Sequence, residues 1–125
     1  MKRQELIDEL PAGLTRVVGR IISYHVGREN AITKRELENQ VRASLGVKTK
    51  SLPRKIRVAV HELRNNGMLI CSSSSGSGYW IAEDYGEAAE FIGEMKGRGS
   101  DILNTARRME QNAESKFTQR TIRMF

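Results

Sequence analysis

The sequence has little cysteine or histidine and no long apolar run. It holds one cysteine, Cys71, which excludes an internal disulfide framework and fits a reducing cytoplasm. Its two histidines, His25 and His61, are scattered, so no zinc-ligand spacing can be assembled. No apolar run approaches the roughly 18 residues that cross a membrane, and no apolar segment follows the basic residues near the start, as a signal peptide requires. We therefore expect a cytoplasmic protein with no membrane partner.

The motifs that usually carry catalysis or phosphate binding are also missing. GRGS at 97–100 and SGSG at 75–78 lack the Lys-Ser/Thr pair and the strand-loop-helix context of a phosphate loop. In a predicted strand, Cys71 is better interpreted as a small buried apolar residue than as a nucleophile. We therefore expect a protein that is not an enzyme, with no catalytic residues, no metal site and no cofactor.

Positive charge is what the sequence has in excess. Its 21 Lys and Arg residues against 15 Asp and Glu residues give a net charge of +6. An acidic partner is expected, most commonly nucleic acid, with an anionic membrane surface or an acidic protein as alternatives. Residues 48–64 concentrate the charge, because six basic residues there stand against one acidic residue, Glu62, for a local net charge of +5.

The periodicity predicts a mainly α-helical protein with a small β-hairpin and a long C-terminal helix. After an N-terminal extension at 1–13, with a short amphipathic stretch at 6–10, apolar residues at three- and four-residue steps predict a helix over 14–27. A turn at 28–30 and a short extended segment at 31–32 follow.

Two further helices are predicted from their end signals. Thr33 and Glu36 form a capping box at the start of the second helix, and Gly46 ends it. Ser51 is the expected N-cap of the third helix, which runs to about Asn66.

A hairpin and a long helix complete the predicted chain. Apolar runs at 68–72 and 79–82 predict two strands around a Ser-Gly loop. Tyr79 and Trp80 point to opposite faces, so one is expected on the core and the other over a helix end or against a partner. Asp84 can cap the last helix. The predicted organisation is a domain at 1–84 with its hairpin at 68–82, a helical extension at 85–117 and a basic tail at 118–125.

This order of elements is that of a winged helix-turn-helix domain, with the third helix as the reading helix. At about 100° per residue, its apolar residues share one arc: Leu52, Ile56, Ala59, Val60 and Leu63. The opposite arc holds Arg54, Arg57, Val58, His61 and Asn65. Arginine can bind guanine, asparagine can bind adenine, and an apolar group can meet a thymine methyl. The second arc suits a DNA major groove, although a solvated basic face is the alternative interpretation.

Lysines beside the start of this helix are candidates for phosphate contacts. The predicted DNA-binding residues are Lys48, Lys50, Ser51, Arg54, Lys55, Arg57, Val58, His61, Arg64 and Asn65. The hairpin tip would be the wing, where hydroxyl groups and close backbone approach allow phosphate contact. Its candidates are Ser73, Ser74, Ser75, Gly76 and Ser77. The loop has no lysine or arginine, so a solvated turn is an equal alternative.

Apolar and small residues in the C-terminal region form a heptad seam. Its members are Ala88, Ile92, Met95, Gly99, Ile102, Ala106, Met109 and Ala113. The seam predicts a homodimer through Ile92, Met95, Ile102, Ala106 and Met109. The alternative is a helix folded back on the domain and bent near Gly97.

The sequence resembles the winged-helix DNA-binding superfamily, and in particular small phage and prophage proteins of that class. The matching residues are His61–Arg64, Gly67, Ile70–Ser73 and Gly78–Ile81. The resemblance covers about residues 14–117 and implies duplex DNA binding, sequence-specific or general, in phage transcription regulation or as a DNA replication accessory. The alternative function is a winged-helix interaction module that docks an acidic partner of the replication or transcription machinery.

Overall fold

The computed structural model describes residues 12–73, 76 and 78–123, with the backbone alone for 119–123. The amphipathic stretch predicted at 6–10 lies outside these residues. In chain order the elements are helix α1 (Leu14–Ser23), a 3₁₀ turn (Arg28–Asn30), helix α2 (Lys34–Leu45), helix α3 (Leu52–Asn65), strands β1 (Ile70–Ser72) and β2 (Tyr79–Ile81), and helix α4 (Tyr85–Arg123). The protein is mainly helical, with a small antiparallel hairpin and a long C-terminal helix, as predicted.

Helix α1 ends at Ser23, earlier than the predicted Gly27. The backbone beyond it pairs with β2: the carbonyl of His25 accepts from the N–H of Ile81 at 2.7 Å, and the N–H of Gly27 donates to the carbonyl of Ile81 at 2.9 Å. Because a distant strand takes these backbone groups, the apolar periodicity overestimates the length of the helix.

Helix α2 begins and ends where its sequence predicts, although the described residues show only one of the two bonds of the predicted capping box. The hydroxyl of Thr33 accepts from the N–H of Glu36 at 3.1 Å. At the other end, Gly46 adopts φ 65° and donates its N–H to Arg42 at 2.8 Å. The left-handed conformation suits glycine, because a side chain is strained there.

Helix α3 begins directly after Ser51, as predicted, but without the side-chain cap. Ser51 has φ −85° and ψ 5°, and its hydroxyl caps no helical N–H. Instead, Thr49 Oγ1 accepts from the N–H of Ser51 at 3.2 Å and lies 2.9 Å from the Ser51 hydroxyl. Ser51 is the N-cap residue, as predicted, and its carbonyl accepts from the N–H of Lys55 at 3.1 Å. Its hydroxyl does not cap the helix, because this local turn holds its backbone away from the extended conformation that side-chain capping needs.

The end of α3 also brings α1 and α3 together. Gly67, at φ 104°, donates to Arg64 at 3.2 Å, and Met68 donates to Leu63 at 3.0 Å, which is the Schellman pattern. The Leu63 and Met68 side chains meet Gly19 of α1, where an added Cβ would lie 3.1 Å from Leu63. Gly19 therefore allows a close approach of the two helices.

The hairpin is paired on both sides of β2. Cys71 lies opposite Trp80 in the antiparallel register. On the other edge, Tyr79 and Ile32 exchange two backbone hydrogen bonds of 2.9 Å each, which confirms the extended segment predicted at 31–32. Gly78, at φ 102°, lies so close to this segment that an added Cβ would collide with the carbonyl of Ile32.

The two faces of the hairpin enter two apolar clusters. Ile70 and Tyr79 pack in the main core with α1, α2 and α3, whereas Cys71 and Trp80 pack with Phe91 of α4. The alternation follows from the two-residue period of a strand. Both aromatic residues are therefore buried, with Tyr79 on the core as one of the two was predicted to be.

Helix α4 is longer than predicted. Asp84 caps it, with its Oδ1 accepting from the N–H of Glu87 at 2.9 Å. The helix then continues beyond 117 to Arg123 and passes without interruption through Gly97. Contacts divide the chain into one unit up to Phe91 and another from Ile92, and every residue over 92–118 is exposed.

Candidate nucleic-acid interface

Helix α3 separates an apolar face from a polar one, as its sequence predicts. Leu52, Ile56, Ala59 and Val60 are buried, and Leu63 is partly buried against the same core. On the opposite arc, Arg54, Arg57, His61 and Asn65 are exposed, and Val58 is half-buried. The core thus fixes one side of the helix and presents the other to solvent.

In the linker before α3, half-buried and exposed residues alternate, and the lysines are the exposed ones. Val47 and Thr49 are half-buried, with Val47 packed on the core, whereas Lys48 and Lys50 are exposed. Thr49 also holds the start of α3 through its bond to the Ser51 N–H. The two lysines are therefore anchored next to the positive end of the helix.

In the described part of the chain, the cations at this end have no carboxylate partners. Among the residues that the structure describes, none of Lys48, Lys50, Arg54, Lys55 and Arg57 forms an ion pair. The first turn of α3 holds no acidic residue. A cation beside a helix N-terminus is disfavoured by about 0.3–1 kcal/mol. The cations therefore do not stabilise α3 where they lie. A bound anion would offset their unfavourable interaction with the N-terminus of the helix.

Arg57 extends the positive surface toward the hairpin. Burial raises the pKa of the Tyr79 hydroxyl, the charges of Arg64 and Arg57 lower it, and the charge of Glu38 raises it. The ammonium group of Lys34, exposed at the start of α2, lies 5.9 Å from the centre of the Tyr79 ring. The charges of Lys34 and Arg57 therefore both act at Tyr79 in β2.

Lys34 is a residue that the sequence argument missed. Its signal was weak, since it is one basic residue directly after the Thr33 cap. Only the pairing of Ile32 with Tyr79 shows that the start of α2 lies beside the hairpin.

The Arg64 side chain bonds to other parts of the fold. Its Nε donates to the carbonyl of Ile70 at 2.8 Å, and an Nη donates to the hydroxyl of Ser72 at 3.2 Å. Its guanidinium also lies 4.8 Å from the centre of the Phe91 ring. These contacts join the end of α3 to β1 and to the first part of α4.

Two other predicted DNA-binding residues use polar atoms within their own segment. The Asn65 amide donates to the carbonyl of His61 at 2.8 Å. The hydroxyl of Ser51 is paired with that of Thr49. The bond of Asn65 to His61 uses one of the two N–H donors of the Asn65 amide, which leaves the second N–H and the amide oxygen for an adenine.

The predicted wing tip is described only in part. Ser73 is half-buried, and Gly76 is exposed at φ 84°. Ser74, Ser75 and Ser77 lie outside the described residues. Contact of this tip with a partner stays a prediction.

A second polar cluster, not predicted from the sequence, lies on the Trp80 face of the hairpin. The indole N–H of Trp80 donates to Glu87 at 3.0 Å, and the guanidinium of Arg28 lies 5.3 Å from the Trp80 ring. Arg28 also reaches Glu90 at 3.8 Å. Because these groups bond one another, the cluster anchors the first turns of α4. The available signal was Glu87, three residues after the Asp84 cap.

The predicted dimerisation residues form an exposed face on α4. Ile102 and Met109 are 70% and 66% exposed, and Ile92 and Met95 are each 43% exposed. Ile102, Ala106 and Met109 line a shallow hollow together with Asp101 and Thr105. Ala88, the first residue of the predicted seam, is buried instead.

Other kinds of site find no support in the described chain. Cys71 is buried, and burial, followed by the charge of Glu87, raises the pKa of its thiol, while Arg64 and Arg28 lower it. Over the described residues, no three or more His, Cys, Asp and Glu side chains are grouped to hold a metal ion. No helix among these residues has the length and apolarity to span a bilayer.

Comparisons with known proteins do not place the chain in a group. No family model, curated protein or solved structure matches it. The functional argument therefore depends on the residues and their geometry.

Proposed function

We propose that this protein binds duplex DNA, with α3 in the major groove. The observation that carries the proposal is the group of cations along α3 and its linker: four are exposed, Lys55 is half-buried, and none forms an ion pair in the described chain. The opposite side of the same helix is fixed in the core. A rigid helix with uncompensated cations on its outer side matches the electrostatic pattern of a DNA-binding element.

The proposed architecture is a winged helix-turn-helix. Helices α2 and α3 would form the helix-turn-helix, and the β1–β2 hairpin would be the wing. The order of the elements supports this assignment, as does the pairing of the 31–32 segment with β2. The proposed role, a phage-type transcription regulator or replication accessory, rests on the sequence resemblance.

The exposed side chains divide into two proposed roles. Arg54 and Arg57 would read base edges, where each bidentate pair with guanine contributes about 1–3 kcal/mol of discrimination. Lys48 and Lys50 would contact phosphates and set the register without reading sequence. Lys34 would add a cation on the hairpin side.

The internal contacts of Arg64 change its proposed role. A guanidinium that binds Ile70 and Ser72 holds the hairpin against α3. We therefore assign Arg64 to support of the interface rather than to direct DNA contact.

Fluorescence anisotropy of a labelled random duplex at low salt tests the proposal. The variant is Arg54→Ala with Arg57→Ala, and the matched control is Arg16→Ala with Arg20→Ala, which removes two exposed arginines from α1. Both variants lose the same net charge. The α3 variant should lose at least about tenfold in affinity, since two charge-assisted contacts disappear, whereas the α1 variant should lose much less.

Equal losses in the two variants would show that overall charge, and not α3, determines binding. If the wild-type protein bound no duplex at low salt, the proposal would be wrong. The same cations would then be tested against an acidic protein partner of the replication or transcription machinery.

A further inference from the structure

From Met95 to Ala113, the exposed seam of α4 alternates between large and small residues, whereas Ile92 before this stretch is a large residue in the heptad place of the small ones. One set of seam positions holds Gly99, Ala106 and Ala113, and the other holds Met95, Ile102 and Met109. An added Cβ at Gly99 would meet nothing within 4 Å. The seam is therefore a row of alternating knobs and hollows that nothing within this part of the chain fills.

This part of α4 has the features of a helix that needs a partner. Every residue over 92–118 is exposed, and Gly93, Gly97 and Gly99 lie within the helix. Glycine weakens an isolated helix relative to alanine, and most helices in proteins depend on packing for stability. An apolar seam on such a helix favours association.

We propose that the occupant is a second copy of this helix, packed antiparallel about a two-fold axis near Asn104. In that register each layer between residues 95 and 113 joins one small and one large residue. Gly99 faces Met109 of the partner subunit, Ala106 faces Ile102 of the partner subunit, and Ala113 faces Met95 of the partner subunit. The hollow beside Ala106 then receives the isoleucine of the other helix.

The parallel arrangement fits this seam poorly. In a parallel in-register pair, each seam position meets its own equivalent. Gly99 would face glycine, and Ala106 and Ala113 would face alanine, which leaves three layers underfilled. Met95, Ile102 and Met109 would meet residues of equal size. Since interiors are packed without voids, the alternation of sizes favours the antiparallel pair.

The residues beside the seam agree with the same register. Lys96 lies beside Glu110 of the partner subunit, which places opposite charges together on both sides of the axis. Leu103, which is 50% exposed in the single chain, lies beside Leu103 of the partner subunit and gains apolar contact. The register is thus supported by charge complementarity as well as by size.

A substitution at Gly99 distinguishes antiparallel from parallel pairing, because it should weaken an antiparallel dimer and strengthen a parallel one. Gly99→Leu raises helix propensity but places leucine against Met109 of the partner subunit. We expect the dissociation constant of the dimer, measured by sedimentation equilibrium, to rise at least about tenfold. The control is Gly97→Leu, which makes the same change off the seam and should leave the dimer intact. A tighter Gly99→Leu dimer, or a monomeric wild-type protein, would overturn the proposal.

Disulfide trapping in the full-length protein tests the register directly. Met95→Cys and Ala113→Cys are made separately, and each is oxidised alone and after mixing. In the antiparallel pair, the two copies of residue 95 lie about 27 Å apart along the axis, too far for a disulfide. Only the mixture should then form linked dimers. Linkage of Met95→Cys alone would show parallel pairing, and no linkage in the mixture would contradict the register.

The wild-type protein, whose native Cys71 is buried, controls for other linkage. Neither experiment contains DNA. Failure of the dimer would therefore leave the proposed DNA binding untouched, and failure of DNA binding would leave the dimer untouched.

Discussion

Replacement of Arg64 by alanine tests whether this residue supports the fold. The variant loses the bonds to the Ile70 carbonyl and the Ser72 hydroxyl and the contact with the Phe91 ring. A hydrogen bond to a charged group contributes about 1.5–3 kcal/mol, and a partly exposed cation–π contact about 0.5–1 kcal/mol. Because these terms overlap and water can replace part of them, we expect a loss of about 2–4 kcal/mol in the free energy of unfolding.

Urea unfolding followed by tryptophan fluorescence measures this loss. Trp80 is the single tryptophan and is 2% exposed in the cluster with Phe91, so its emission reports on the same region. Arg64→Lys retains the charge but not the planar fork, and should recover little of the stability. Arg54→Ala is the exposed control and should change stability by less than about 0.5 kcal/mol. An Arg64→Ala protein as stable as the wild type would refute the structural role.

Three further substitutions or reactions test local features of the fold. Gly78→Ala should destabilise the protein by at least about 2 kcal/mol, seen as a lower Tm, because its Cβ would collide with the Ile32 carbonyl at φ 102°. Thr33→Ala should lower the free energy of unfolding by about 1 kcal/mol, because Glu36 loses its cap. Cys71 should react with iodoacetamide at pH 8 far more slowly in the folded protein than in urea, because burial raises the pKa of its thiol.

Each of these expectations has its own control. Gly46→Ala adds a side chain at φ 65° with nothing within 4 Å, so it should destabilise the protein less than Gly78→Ala does. Equal destabilisation by the two substitutions would show that the close approach of Gly78 to Ile32 is not the cause. Thr33→Ser keeps a hydroxyl and should retain most of the cap. Equal alkylation rates for Cys71 in folded and unfolded protein would mean that the thiol is accessible.

Local signals in the sequence predicted the helix ends that depend on adjacent residues. Thr33 and Gly46 bound α2 as expected, and Gly67 stops α3. The predicted end of α1 was wrong, because the backbone at His25 and Gly27 pairs with a strand more than fifty residues away. Apolar periodicity contains no information about such a distant partner.

The candidate site shows the same division between local and distant causes. The two faces of α3 follow from helical geometry and were predicted from the sequence, except that Val58, expected to be exposed, is half-buried. The hydrogen bonds of Arg64 to β1 could not be predicted, because the sequence does not show whether a charged residue at a helix end faces solvent or a neighbouring strand. The proximity of Lys34 to Tyr79 likewise depends on how the hairpin packs.

The most direct test of the proposed function is the affinity of the wild-type protein for a random DNA duplex as the salt concentration is raised. If three to five cations contact phosphates, the logarithm of the binding constant should fall with the logarithm of salt concentration at a slope of about −3 to −4.5. The dissociation constant at physiological salt should lie at about 10⁻⁴ to 10⁻⁶ M. Absence of binding at low salt, or binding that does not change with salt, would contradict the account.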